Sequence, residues 1–142
     1  MYHLIIIPIV AAIVTQLVKL IIDAKKNQFS WKDLNSYGGM PSSHTAMVVS
    51  MAGSVGYIEG WTSAIFAVAV VFAILVIRDA AGLRYQLGIH AKVINKRMSQ
   101  IPGDESYIFP HLKERMGHTW LEIVAGAASG LIVTAVYTLI FV

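Results

Sequence analysis

Four apolar runs, each close to the length of a bilayer crossing, constrain this chain more than any other feature. A membrane-spanning helix needs about 20 mostly apolar residues. Such runs extend from about Tyr2 to Ile22, Pro41 to Gly60, Trp61 to Ile77 and His118 to Val142. The chain has 142 residues, of which 56% are hydrophobic and only 13% charged, against a charged share of about 25% in soluble domains. A chain this short cannot hide so much apolar surface in its own core, so lipid is the solvent it is built for. The expected fold class is all-α: one polytopic membrane helix bundle over residues 1–142, with about four spans. The start of the chain does not read as a cleaved signal peptide, because no Lys or Arg precedes the first apolar run and further spans follow it. With no cysteine, disulfide and thiol chemistry are excluded.

Charge then orients the bundle. Two polar stretches, about 23–40 and 78–117, separate the apolar runs, and all 11 Lys and Arg lie in or beside them. The N-terminus, the short turn near Glu59 and the C-terminus carry none. Four spans put both stretches on one side, which the positive-inside rule makes cytoplasmic, with both termini outside. Within the second stretch Leu83, Leu87, Ile94 and Met98 recur at helical spacing, with Arg84, Lys92, Asn95 and Lys96 off that stripe. This pattern suits an amphipathic helix in the headgroup layer; the other option is a continuation of the third span. Residues 99–112, with Pro102, Gly103 and Pro110, have the composition of a loop.

Polar residues inside spans are costly and therefore informative. A charge near the bilayer centre costs roughly 2.5–3.5 kcal/mol on insertion scales. The first span carries Gln16, Lys19 and Asp23 on one face, although a lysine can also snorkel to the interface. The second span opens with Gly38-Gly39-Met40-Pro41-Ser42-Ser43-His44. Proline suits a first helical turn, which would put Ser42, Ser43 and His44 among free N–H groups, a ready anion site. An ordinary serine-rich helix start reads equally well. The fourth span opens with His118 and Glu122 four residues apart, on one helix face. A carboxylate there would fix the imidazole tautomer, or the pair could serve only to set helix register. Gly126 and Gly130 continue that stripe in a small-xxx-small pattern that permits close helix packing.

Spans two and four enter from the cytoplasmic side, and spans one and three end there. Lys19, His44, Arg78, Asp79, His118 and Glu122 should therefore gather near one membrane level. Two histidines, several cations and two helix N-termini are what a phosphoryl group needs: a nucleophile, a proton donor and charge stabilisation.

The string Gly39-Met40-Pro41-Ser42-Ser43-His44 resembles the Pro-Ser-Gly-His motif of the type 2 phosphatidic acid phosphatase superfamily, which includes the vanadium-dependent haloperoxidases. Gly117-His118-Thr119-Trp120-Leu121-Glu122 resembles its last motif, where a nucleophilic His precedes an Asp by four residues. Over nearly its full length the chain looks like the small divergent branch of that superfamily. That branch has Gln-x-x-Lys (here Gln16 and Lys19), Gly-Gly-Met-Pro-Ser-Ser-His, Asp-Ala-x-Gly-x-Arg (Asp79 to Arg84) and Leu-Lys-Glu-x-x-Gly-His (Leu112 to His118).

The resemblance implies a phosphatase or phosphotransferase acting on a lipid phosphate or diphosphate through a phosphohistidine, at the cytoplasmic face of a bacterial plasma membrane. His118 would be the nucleophile, His44 the proton donor to the leaving alcohol, and Glu122 the orienting carboxylate. Phosphate oxygens would be held by Gly39, Ser42, Ser43 and Lys19. The superfamily's Arg-Pro and Ser-Arg pairs are missing: Lys26 and Asn27 stand in the first place, and Met116-Gly117 precede His118 in the second. Arg84, Lys113 and Arg115 are available as substitutes, and Asp79 has no counterpart in the superfamily motifs. No cofactor, metal or nucleic-acid partner is expected; the cations read first as topology and lipid contacts. The other function the residues leave open is a non-catalytic lipid-phosphate binder, carrier or scaffold. Glycine-rich helix faces also leave a homodimer open.

Overall fold

The computed structural model describes residues 2–25, 39–100, 110–114 and 116–142. Among these residues five α-helices follow one another: α1 (His3–Lys25), α2 (Ser43–Glu59), α3 (Ala64–Ala81), α4 (Leu83–Met98) and α5 (Trp120–Phe141). Helices α1 and α5, and the stretch Ala64–Met98 that holds α3 and α4, are long and apolar enough to cross a membrane. The interior is small and polar, with Ala11, Thr15, Ala46, Ser50, Ser54, Ala69 and Thr134 buried. The exterior carries large apolar side chains, among them Ile5, Ile13, Leu17, Val68, Leu75, Val124 and Leu139. This inversion suits a lipid solvent, in which helices associate through close packing of small residues and through hydrogen bonds. The chain is a membrane helix bundle.

Helix α2 is the hub, packed against α1, α3 and α5. With 17 residues it rises about 25 Å, just enough to match the bundle. Its serines, threonine and glycines face protein rather than lipid, so it needs less apolar surface than its neighbours. Contacts give the directions. Ser42 N–H donates to the Glu122 carbonyl, Ala46 meets Gly130 and Ser50 meets Thr134 at 2.7 Å; the numbers rise together, so α2 and α5 run parallel. Thr15 bonds Ser129 at 2.7 Å, while His3 lies beside Tyr137; the numbers run oppositely, so α1 is antiparallel to α5. Among the described residues four segments therefore traverse the bundle, and α1 and α3 end where α2 and α5 begin.

Several boundaries differ from those read off hydropathy. Pro41 lies before the helix rather than in its first turn: Ser42 is the N-cap of α2 and its hydroxyl accepts the Thr45 N–H. The third span begins at Ala64, after the N-cap Ser63, and runs past Arg78 and Asp79 to Ala81. The last helix begins at Trp120, so His118 precedes the spanning segment. The amphipathic stretch is a helix of its own, divided from α3 at Gly82 (φ −101°, ψ −90°). It buries Gly88 and Ala91 and leaves Leu83, Leu87 and Ile94 exposed, the side an interfacial helix offers to lipid. Positions 101–109 of the expected loop, and Arg115, lie outside the described residues.

Candidate functional site

At the end of the bundle where α2 and α5 begin, backbone meets backbone. A side chain on Gly126 would come within 2.4 Å of the Ser42 carbonyl oxygen, and one on Gly130 would come within 2.4 Å of that of Ala46. The small-residue stripe thus serves packing within the chain, α5 against α2, and it sets the N-termini of the two helices side by side. Gly117 turns the chain into α5 with φ +78°, and a Cβ there would lie 2.3 Å from the Tyr85 nitrogen. Only glycine combines that conformation with that approach. His118 N–H then donates to the Ala80 carbonyl at 3.0 Å, which ties the residue to the last turn of α3.

Glu122 has two tasks. Its Oε2 accepts the Thr119 N–H at 2.9 Å, while the Thr119 hydroxyl accepts the Glu122 N–H. This capping box closes the start of α5. The same oxygen lies 3.3 Å from His118 Nδ1. Placing the proton on Nδ1 leaves Nε2 with its lone pair. His118 is 8% exposed. Burial is the main force holding its pKa below the usual 6.5, helped by His44 and Lys19 and opposed by the Glu122 hydrogen bond and charge. The ring is thus kept neutral at physiological pH.

His44, exposed in the first turn of α2, shares a cavity of about 60 Å³ with His118, Gly117, Val76, Asp79, Ala80 and Arg84. One water needs about 10–15 Å³ on this measure, so a few waters or one small oxyanion fit. Arg84 and Lys19 are close enough to act electrostatically on His44. Lys19 is only 6% exposed: it does not snorkel outward, but runs along the backbone of Gly39 (φ +100°), where a Cβ would meet its Cε at 2.9 Å. Glycine is needed at position 39 for both reasons. Thr15, rather than Gln16, is the fully buried polar residue one turn earlier.

His44, Asp79, Arg84 and His118 line this cavity, with Glu122 against His118 and Lys19 against Gly39. Arg78 is exposed and not in its wall, and Ser42 and Lys113 also stand apart. Ser42 is fully buried, and its hydroxyl accepts from the Thr45 N–H and hydroxyl, while its own N–H is spent on Glu122. It caps and anchors α2 instead of facing the cavity. Ser43 follows it in the first helical turn, where backbone N–H groups lack intrahelical partners. Lys113 is exposed on a strand of chain held by Asn95, which bonds Leu112 and Glu114. Asn95 is three turns along α4 from Arg84, so Lys113 is not brought to the cavity wall. Sequence reasoning missed the capping box, although Thr119-Trp120-Leu121-Glu122 spells it, and the pairing of Asp79 with Arg84.

Comparison with known proteins agrees with this architecture. The model of the divergent PAP2 family matches residues 2–133. The chain is similar to the uncharacterized membrane protein YuiD of Bacillus subtilis (strain 168), at 34% identity over 92% of this chain and 90% of that one. No solved structure matches significantly. With its motifs gathered at one end of a membrane bundle and the family model covering nearly its whole length, the chain belongs to the divergent PAP2 family.

Proposed function

We propose that this protein is a membrane-embedded phosphatase or phosphotransferase for a lipid phosphate or diphosphate, working at the cytoplasmic face through a phosphohistidine. The observation that carries this reading is the shared cavity of His44 and His118, with the Nδ1 side of His118 occupied by Glu122. Nε2 of His118 attacks phosphorus, and the bond from phosphorus to the lipid oxygen breaks. His44 donates a proton to the departing oxygen. Water then gives a proton to His44 and attacks phosphorus, the phosphorus–nitrogen bond breaks with its electron pair returning to Nε2, and phosphate leaves. In a transferase a second alcohol replaces the water. Lys19, Arg84 and the first-turn N–H of Ser43 supply charge stabilisation. The cytoplasmic assignment rests on the distribution of Lys and Arg.

A phosphate-release screen over phosphatidate, phosphatidylglycerophosphate and polyprenyl phosphates, without added metal, tests the proposal. One substrate should release phosphate, and His118→Ala should cut the rate by about a thousandfold or more while the protein stays folded in detergent. Full activity of that variant would remove His118 from the mechanism. The second reading, a non-catalytic lipid-phosphate binder, is favoured by the Asp79 carboxylate in the cavity wall, which offsets part of the positive field. Lipid-phosphate binding that survives His118→Ala, with no turnover on any substrate, would establish it.

A further inference from the structure

Asp79 and Arg84 pair at a place where neither stabilises its own helix. Asp79 stands near the C-terminus of α3 and Arg84 in the first turn of α4, so each sits at the end whose dipole disfavours its charge. In an unbroken helix, residues five apart point about 140° away from each other and would not meet. Gly82 makes them meet. A side chain there would come 2.8 Å from the Arg78 carbonyl oxygen, so the break has no room for a Cβ. The same turn carries Ala80, whose carbonyl seats the His118 N–H. The segment from Asp79 to Arg84 therefore holds the backbone of His118 and also walls the cavity beside its ring.

Stability does not account for the pair. The two side chains are 44% and 40% exposed, and exposed ion pairs contribute only about 0–1 kcal/mol. The contact is made through Arg84 Nε, one of the five donors of a rigid, planar fork. An acceptor at Nε fixes the plane of the guanidinium.

We propose that Asp79 is a positioning residue that sets Arg84 across the cavity as the clamp for a phosphoryl group held between His44 and His118. This rests on reading the cavity as a phosphate site. It gives Arg84 the work of an arginine that the superfamily takes from motifs absent here, and it gives Asp79 a role that those motifs do not contain.

Full-length protein in detergent supplies the test. Wild type, Asp79→Asn, Asp79→Glu, Arg84→Lys and the Asp79→Asn/Arg84→Lys double variant are compared, each checked for folding by gel filtration. Three quantities are read: KM and kcat on a hydrolysed lipid phosphate, the Kd for inorganic phosphate, and the ¹⁵N shift of Arg84 Nε. Asp79→Asn should raise KM and Kd together by about tenfold, change kcat by less than about threefold, and abolish the phosphate-induced Nε shift. Asp79→Glu should restore most of the loss, and Asp79→Asn should add nothing once Arg84 is Lys. Tighter phosphate binding by Asp79→Asn would overturn the proposal, because Asp79 would then compete with the anion. A fall in kcat at unchanged KM and Kd, or additive effects in the double variant, would overturn it too. If wild type binds inorganic phosphate but turns over no lipid, the catalytic reading fails and the Kd and Nε measurements alone decide the role of Asp79. If it does neither, both are overturned.

Discussion

The two ends of this bundle are built from the same helices by different means. Where α2 and α5 begin, glycines abut backbone: Gly126 on the Ser42 carbonyl, Gly117 on the Tyr85 nitrogen. Cations, histidines and carboxylates gather there. At the other end, a Cβ on Gly56 would meet the ring of Trp61, which stacks edge-on against Phe66, and His3 meets Tyr137. Among the described residues that end carries Glu59 and no Lys or Arg. Crowding by backbone leaves little room to yield, whereas a flexible side chain can move aside. Close backbone packing is concentrated where the polar groups are, as a preorganised site requires.

Substitution at matched positions breaks or sharpens this contrast. The largest effect is expected from Gly117→Ala, which combines a left-handed backbone with a backbone clash: a loss of about 3 kcal/mol or more in thermal unfolding in detergent. Gly56→Ala, crowded at 2.5 Å by the exposed Trp61 ring and at 3.0 Å by the edge of Phe66, meets side chains alone and should stay within about 1 kcal/mol of wild type. The ring swings out, and alanine gains roughly 0.5–1 kcal/mol over glycine inside a helix. Equal losses in both variants would end the distinction.

Next in size is Glu122→Gln. Glutamine still completes the capping box, so stability should hold, while turnover of a lipid phosphate falls by about a hundredfold. Glu122 raises the pKa of His118 through its hydrogen bond and charge, and burial lowers it. The acid limb of kcat/KM should therefore lie below the ordinary histidine range in wild type and move to still lower pH in Glu122→Gln. Thr119→Ala is the converse: about 1 kcal/mol of stability lost with the cap, and KM little changed. Smallest is Ser50→Ala at mid-bundle, which removes the bond to Thr134 and should cost about 0.6 kcal/mol.

Much of the site was legible because topology is. Hydropathy and the cations brought Lys19, His44, Asp79 and His118 to one end, and the four-residue spacing paired His118 with Glu122. What escaped hydropathy was local. A window average cannot see that Gly82 breaks the chain, so the meeting of Asp79 and Arg84 was hidden by a spacing that an intact helix forbids. Ser42 looked like a ligand because serine before a helix suits anion binding and N-capping alike; burial against α5 decides for the cap. Lys113 looked available by charge alone, but Asn95 ties its segment farther along α4. Helix α2 was found by composition, yet its central place shows only in what surrounds it.

That central place has a consequence in time. A span with so many hydroxyls and glycines is a poor solitary guest in hydrocarbon, and the short turn at 60–63 lets it enter as a hairpin with α3. Its polar wall is covered by α1 and by α5, which follows the other described helices in the chain. Until that helix arrives, the Ser42 amide lacks the Glu122 carbonyl and His44 has no His118 opposite it. The pocket thus closes only when α5 joins the bundle, and a chain halted before Trp120 would lack it.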